Sequence, residues 1–274
     1  MSRAYRTPDY GIWERGNKIN HGIAELNASS MGMAKAALEA LAGFNLFGHQ
    51  GGQAGVIHVV SDDIARSRIA LEALLPRESL SKEVDAALLS ITGFPAFAVD
   101  NAELRLRTEA LVVEKLKGRY GCKRFLLDGH QTVIEDSSRL HYNPQELKQF
   151  QHIECEWPLF FCYLNLNAQF AGRTAQAAEY KDKLQALLVT QNGRQLLPEL
   201  YYVPKDAIDA EKALPQSQAR LPNENIPLVW AQSLYILACL LQDGALTAKD
   251  IDPLTRHKKS ASSIDVYIAS RVIS

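Results

Sequence analysis

Residues 154–190 read ECEWPLFFCYLNLNAQFAGRTAQAAEYKDKLQALLVT. From 154 to 171 nearly every helical face is apolar, whereas from 174 to 190 Glu179, Lys181, Asp182 and Lys183 bring charge to one face. A helix that is apolar all round belongs in an interior, and an amphipathic one covers it. The pair therefore predicts a buried helix followed by a surface helix.

The same alternation extends in both directions. Segment 31–41, after Ser29 and Ser30, is rich in Ala and Leu and stops at Gly43; segment 62–75, after Ser61, stops at Pro76. Ser81 opens 82–92, which closes at Gly93-Phe94-Pro95, and Asp100-x-x-Glu103 forms a capping-box pattern before 101–117. A last apolar segment covers 226–241. Segments 31–41, 82–92, 154–171 and 226–241 are the buried set; 62–75, 101–117 and 174–190 carry charge. An inner and an outer ring of helices would produce this order, so the expected fold is all-α. Two stretches, 119–149 and 191–225, are loops of about 30 residues, far beyond the usual length for connections, and loops of that kind commonly hold functional sites. No linker divides the chain, which predicts one domain over 1–254 and a loose tail over 255–274.

Composition narrows the function classes. Of 274 residues, 47% are hydrophobic and 22% charged, which excludes disorder and coiled coil. Lys and Arg number 30 against 31 Asp and Glu, so no bulk charge draws the chain to nucleic acid or an anionic membrane. No apolar run is long enough to span a bilayer, and the N-terminal residues lack the apolar core of a secretory leader, so the expectation is a soluble, cytoplasmic protein. Cys122, Cys155, Cys162 and Cys239 contain no C-x-x-C pair, and on a shared helix Cys155 and Cys162 would lie roughly 10 Å apart, which predicts free thiols. The histidines show no ligand spacing and the glycines no phosphate-binding loop, so neither a metal nor a cofactor is expected. Protein-kinase catalytic motifs and an extended basic amphipathic helix of calmodulin-target type are also missing from the sequence.

Chemistry must then come from local constellations. In 9–16, DYGIWERG, the Glu14 carboxyl beside Trp13 would be desolvated and could hold its proton near neutrality, as a general acid must; the alternative is an exposed Glu14 paired with Arg15 or Lys18. In 197–202, LPELYY, an ionised Glu199 among Pro198, Tyr201 and Tyr202 could activate water, or could serve in a cap or ion pair. Two carboxylates in aromatic loops suggest glycoside hydrolysis. Segment 120–142 mixes Arg124, Asp128, His130, Glu135, Asp136, Arg139 and Tyr142, groups that suit sugar hydroxyls or a self-satisfied surface loop. Glu154 and Glu156 stand where acids would complement a helix dipole.

The run 9–16, followed by ELNASSMGMAKAALEA at 25–40, closely resembles the N-terminal domain of the phosphorylase kinase regulatory subunits alpha and beta. The resemblance continues through LPRES at 75–79, GRYG at 118–121, RF at 124–125, RLHY at 139–142, ECEWP at 154–158, PELY at 198–201 and WAQSLYIL at 230–237. That domain is similar to the glucoamylases of glycoside hydrolase family 15, which implies an (α/α)6 barrel. The same resemblance implies Glu14 as acid and Glu199 as base of an inverting hydrolase, with Arg124 contacting a glucosyl hydroxyl and Trp13 and Tyr201 lining the substrate site. Arg15 stands where fungal glucoamylases carry a second acid. Seven long helices fill little more than half of a twelve-helix barrel, so the expectation is its C-terminal portion, with apolar surface left unpartnered. Two readings follow: a glucoamylase-type site for α-glucan or maltooligosaccharide, or a non-catalytic regulatory module in a phosphorylase kinase-like complex. Kinase-complex subunits or further copies of the chain are the expected protein partners.

Overall fold

The computed structural model describes residues 3–13, 23–139 and 141–258. The long helices are α1 (Ala28–Leu41), α2 (Ser61–Leu74), α4 (Ala102–Leu116), α6 (Leu159–Phe170), α7 (Thr174–Ala186) and α9 (Val229–Gln242). Shorter ones are α3 (Leu89–Thr92), α5 (Pro144–Leu147), α8 (Ile208–Ala213) and α10 (Ala248–Ile251). Two small antiparallel pairs, β1 (Val189–Gln191) with β2 (Arg194–Leu196) and β3 (Tyr201–Tyr202) with β4 (Leu221–Pro222), are the named strands of the described residues.

Helix α3 packs on α1 and α6, and α6 packs on α9, so α1, α3, α6 and α9 form a continuous inner layer. Outside it, α2 lies on α1, α4 on α3 and α7 on α6. The layering is the one expected from the alternation of apolar and amphipathic segments. Helix α6 is its centre: every residue from Leu159 to Ala168 is buried, and truncating one of its phenylalanines would cost about 3 to 5 kcal/mol. Helix α9 differs. Although apolar on most faces, it buries Ala231, Leu234 and Ala238 and exposes Val229, Ile236 and Leu240, because it ends the inner succession and has a neighbour on one flank.

Several boundaries depart from expectation for tertiary reasons. Helix α1 begins at Ala28, before the two serines, because Glu78 caps it from another segment: its carbonyl accepts Ala28 N at 2.8 Å and its carboxylate accepts Ser29 N at 3.1 Å. The segment expected from 82 becomes helical only at Ala86–Leu88, a 3₁₀ turn running into α3, because Asp85 caps it by accepting Ala87 N. Ser81 instead donates its hydroxyl to Glu25. At α4 the cap is Asn101, which accepts Leu104 N at 2.9 Å, while Asp100 pairs with Arg68 and Lys35. Segment 226–241 becomes helical at Val229. The end of 174–190 is the β1–β2 hairpin rather than helix.

The largest departure is at 154–157, which is extended and not helical. Cys122 bridges Trp157, and Glu156 bridges Tyr201, so this segment ties both long loops together. Glu154 and Glu156 are buried and act as anchors for the loops rather than as partners of a helix dipole. Glu154 pairs with Lys123 at 2.7 Å and accepts Leu127 N; Glu156 pairs with Arg220 at 3.2 Å and accepts Tyr120 N. Arg220 also pairs with buried Glu211; burial pushes the Glu156 carboxyl above its ordinary range, partly offset by Arg220 and the Tyr120 N–H. Gly118 and Gly121 permit the crossing: a Cβ at Gly118 would overlap the Glu156 carboxylate, and one at Gly121, whose φ is +145°, would overlap the Trp157 carbonyl.

All four cysteines are free, and burial pushes the Cys122, Cys155 and Cys162 thiols well up. Just after Thr255, where a tail was expected, Arg256 donates to Glu39 at 2.6 Å, and His257 Nδ1 lies 2.6 Å from Asp252. Among the described residues no helix is long and apolar enough to cross a membrane.

Candidate functional site

Trp13 is buried at the end of its described segment, and both oxygens of Asp85 accept from its Nε1, at 2.9 and 3.1 Å. Asp85 has no exposed surface; Lys82 Nζ lies 3.3 Å from it and supplies the countercharge. The Trp13 ring lies about one ring diameter from three aromatics: Trp157 at 6.0 Å, Phe160 at 6.1 Å and Trp230 at 6.3 Å between centroids. Above it sits the Arg124 guanidinium, 4.8 Å from the Trp13 centroid and 5.3 Å from that of Trp157. Asp128 holds this guanidinium in a two-pronged pair at 2.7 and 2.9 Å, which fixes its plane against the rings. Asp85 and Arg124 are themselves backbone neighbours, since Ala86 N donates to Arg124 O at 2.7 Å.

The platform continues to the second predicted carboxylate. His130 stacks on Trp157 at 6.2 Å, and the next residue, Gln131, donates from Nε2 to Glu199 Oε2 at 3.0 Å. Asn223 Nδ2 donates to the same oxygen at 2.6 Å and to Gln131 Oε1 at 3.0 Å. Glu199 is half-buried, and both amides converge on one of its oxygens; among the described residues no donor reaches Oε1. The backbone of Glu199 is fixed too, by its N–H to Asn225 O at 3.0 Å. Two polar atoms nearby, Trp157 Nε1 and Asn223 Oδ1, are buried without a partner among the described residues.

The structure thus links Trp13, Arg124 and Glu199 through Trp157, His130 and Gln131. Glu14 lies outside the described residues. Tyr201 is close in sequence to Glu199 but its hydroxyl donates to Leu187 O at 2.7 Å and its ring packs on Tyr120 at 4.9 Å, so burial pushes its phenol up to about 12. Arg139, in the same mixed loop, pairs with Glu146, which belongs to the capping box of α5. Sequence reasoning missed Asp85, Gln131 and Asn223. Asp85 lay inside the expected helical segment 82–92, and Gln131 and Asn223 are common amides in long loops with no spacing that marks them. Among the described residues no group of His, Cys, Asp and Glu is arranged to hold a metal ion.

Two layers of helices with a cluster of buried aromatic rings beneath loop-borne Arg124 and Glu199 define a domain of glycosidase architecture. Two comparisons with solved structures give the same fold: a wild-type glycosidase superimposes with a TM-score of 0.53 at 19% identity, covering 89% of this chain and 57% of that one. A glycosidase variant does so at 20% identity with the same coverage. The chain belongs to the glycosyl hydrolases family 15, whose family model matches residues 1–263.

Within the family it is similar to a particular group. It is 51% identical over all 274 residues to the phosphorylase b kinase regulatory subunit alpha, skeletal muscle isoform, of Oryctolagus cuniculus. It is 49% identical to a probable phosphorylase b kinase regulatory subunit alpha of Drosophila melanogaster over the same length, and 50% identical to one of Caenorhabditis elegans over 93% of the chain. The chain spans about a fifth of the length of these relatives, 22% for the rabbit subunit.

Proposed function

We propose that this domain recognises α-glucans or maltooligosaccharides at the Trp13–Arg124–Glu199 platform and serves a regulatory protein of the phosphorylase kinase subunit type. The observation that carries this reading is the state of Glu199: two side-chain amides hold one carboxylate oxygen, while no donor among the described residues reaches the other. A carboxylate so oriented can accept a proton from a water or a hydroxyl without rotating first. The Trp13 and Trp157 indoles, buried beneath the Arg124 guanidinium, form a rigid backing for the half-buried Glu199, whose Oε1 is the group offered to a glucan hydroxyl. If the site turns over, Glu199 acts as base and Glu14 as acid of an inverting hydrolysis. Kinase-complex subunits are the proposed protein partners, the cytoplasm the proposed location, and 1–254 the proposed domain.

A second reading, binding without hydrolysis, draws on Arg15, a cation directly after Glu14 where fungal glucoamylases carry an acid. Calorimetric titration of the chain with maltooligosaccharides, run beside an assay for released glucose, tests both. Binding lost in Trp13→Ala supports the site; glucose release lost in Glu199→Gln assigns turnover. No binding of any maltooligosaccharide overturns the proposal.

A further inference from the structure

At the far ends of α4 and α6 lies a cavity of about 420 Å³ that shares no residue with the Glu199 platform. Arg105, Glu109 and Lys258 bring charge to it, and Phe97, Phe170 and His257 bring rings. The rings form one wall: Phe97 and Phe170 meet edge to face at 5.0 Å, and His257 lies 5.3 Å from Phe170.

The charges do not balance. Glu109 is already paired with Arg173 at 2.7 Å, and His257 is paired with Asp252 at 2.6 Å. Arg105 has no ion pair within 4.0 Å among the described residues, and its Nε is sealed from solvent without a hydrogen-bond partner. Arg173 Nε and Nη2 are likewise buried and unpartnered. Burial and the neighbouring Arg173 guanidinium both push the Arg105 guanidinium down, against the pull of Glu109. Arg105 and Lys258 line the cavity, and its one lining carboxylate, Glu109, is already paired with Arg173, so two positive charges there have no ion-pair partner among the described residues. A buried donor without a partner loses its hydration with nothing in return, more so when charged, so the arrangement favours an anion that fits.

We propose that this cavity binds a phosphate dianion, and that it takes a phosphate ester with a flat aromatic body in preference to inorganic phosphate. Two oxygens of the phosphate would accept from the planar guanidinium of Arg105, the geometry in which guanidinium and phosphate pair most strongly. Lys258 closes the charge from the exposed side. The ester's ring would lie on the Phe97–Phe170–His257 wall.

The test uses the whole chain, with inorganic phosphate and phenyl phosphate as probes and sodium chloride at matched ionic strength as the control for screening. Calorimetric titration should show phenyl phosphate binding more tightly than inorganic phosphate, and each should raise the melting temperature above the chloride control. Arg105→Gln should weaken phenyl phosphate at least about tenfold, as loss of a charged hydrogen-bonding partner does. Glu109→Gln, which removes the carboxylate lining the cavity and frees Arg173, should tighten it. That opposite sign separates a binding role from a structural one, because damage to the fold would weaken the ligand in both variants. Equal affinity for the two phosphates would overturn the aromatic part of the assignment. Binding unchanged in Arg105→Gln, weakened in Glu109→Gln, or matched by chloride overturns the site.

Discussion

Asn223 Nδ2 lies 2.6 Å from Glu199 Oε2, the shorter of the two amide contacts that hold this carboxylate. Residue 223 follows β4 and residue 199 precedes β3, so the β3–β4 pairing sets the distance. If the site turns over, Glu199→Gln should lower kcat by about 10² to 10⁴ with little change in glucan affinity, because a general base acts chiefly in the transition state. Asn223→Ala should have a smaller effect of about tenfold, since Gln131 still holds the oxygen. Steady-state kinetics on maltooligosaccharides decides; equal losses in the two variants would contradict the assignment of roles.

Asp85 holds Trp13, caps the turn before α3 through Ala87 N, and faces Lys82, all without exposed surface of its own. Asp85→Ala should therefore take from buried Lys82 its paired carboxylate and destabilise the fold by about 3 to 5 kcal/mol. Denaturant unfolding measures this. A loss below about 1 kcal/mol would show that Trp13 is held by ring packing alone.

Glu78, which caps α1, gives the fold a pH dependence. Its carboxyl is fully buried, and burial first, with the nearby Asp85 second, pushes it up to about 7 from an ordinary 4.5. The native state then binds more protons than the unfolded chain between those values, so this group's contribution to stability falls as pH rises from 4.5 through 7 and levels off above. The slope approaches about 1.4 kcal/mol per pH unit for one proton. Glu78→Gln should remove that slope, whatever it does to stability at any single pH. Denaturant unfolding of both chains across this window is the measurement, and parallel curves would refute the shifted carboxyl.

The outer flank of α9 exposes Val229, Ile236 and Leu240 on a helix that is otherwise part of the inner layer. Exposed apolar surface of this kind favours association. The isolated chain should self-associate as its concentration rises, and Ile236→Glu combined with Leu240→Glu should weaken that association at least about tenfold, each change burying a charge in the contact. Sedimentation velocity over a concentration series reads the outcome. A compact monomer at every concentration would rule out the flank as an adhesive surface.

The inner layer was readable from residue pattern because local sequence carries its cause. Ten successive residues from Leu159 to Ala168 leave no polar face to point at water, so only an interior accepts them. Helix α7 follows with Lys183 and Glu179 one turn apart and outward, and its place outside follows equally. The ends of elements were less readable. Ser29, Ser30 and Ser81 look like caps, but the groups that act as caps or anchors come from elsewhere: Glu78 for α1, Asn101 for α4, and Glu25 for the Ser81 hydroxyl. A cap is a geometric relation, and a carboxylate distant in sequence satisfies an N–H as well as a neighbouring serine does.

The candidate site divides along the same line. Trp13, Arg124 and Glu199 stood out in the sequence because their residue types and neighbours match a known pattern. Only the fold decided that Tyr201 turns its hydroxyl to Leu187, that Asp85 grips the indole, and that Gln131 and Asn223 meet on one oxygen of Glu199. Likewise α9 reads as apolar throughout, yet its exposed flank exists because no described helix packs there. Sequence alone determined which segments must avoid water, since hydrophobicity and periodicity are properties of adjacent residues. Tertiary structure decided which polar groups meet, because those meetings join residues as far apart as Trp13 and Asp85 and depend on how the layers and loops are stacked.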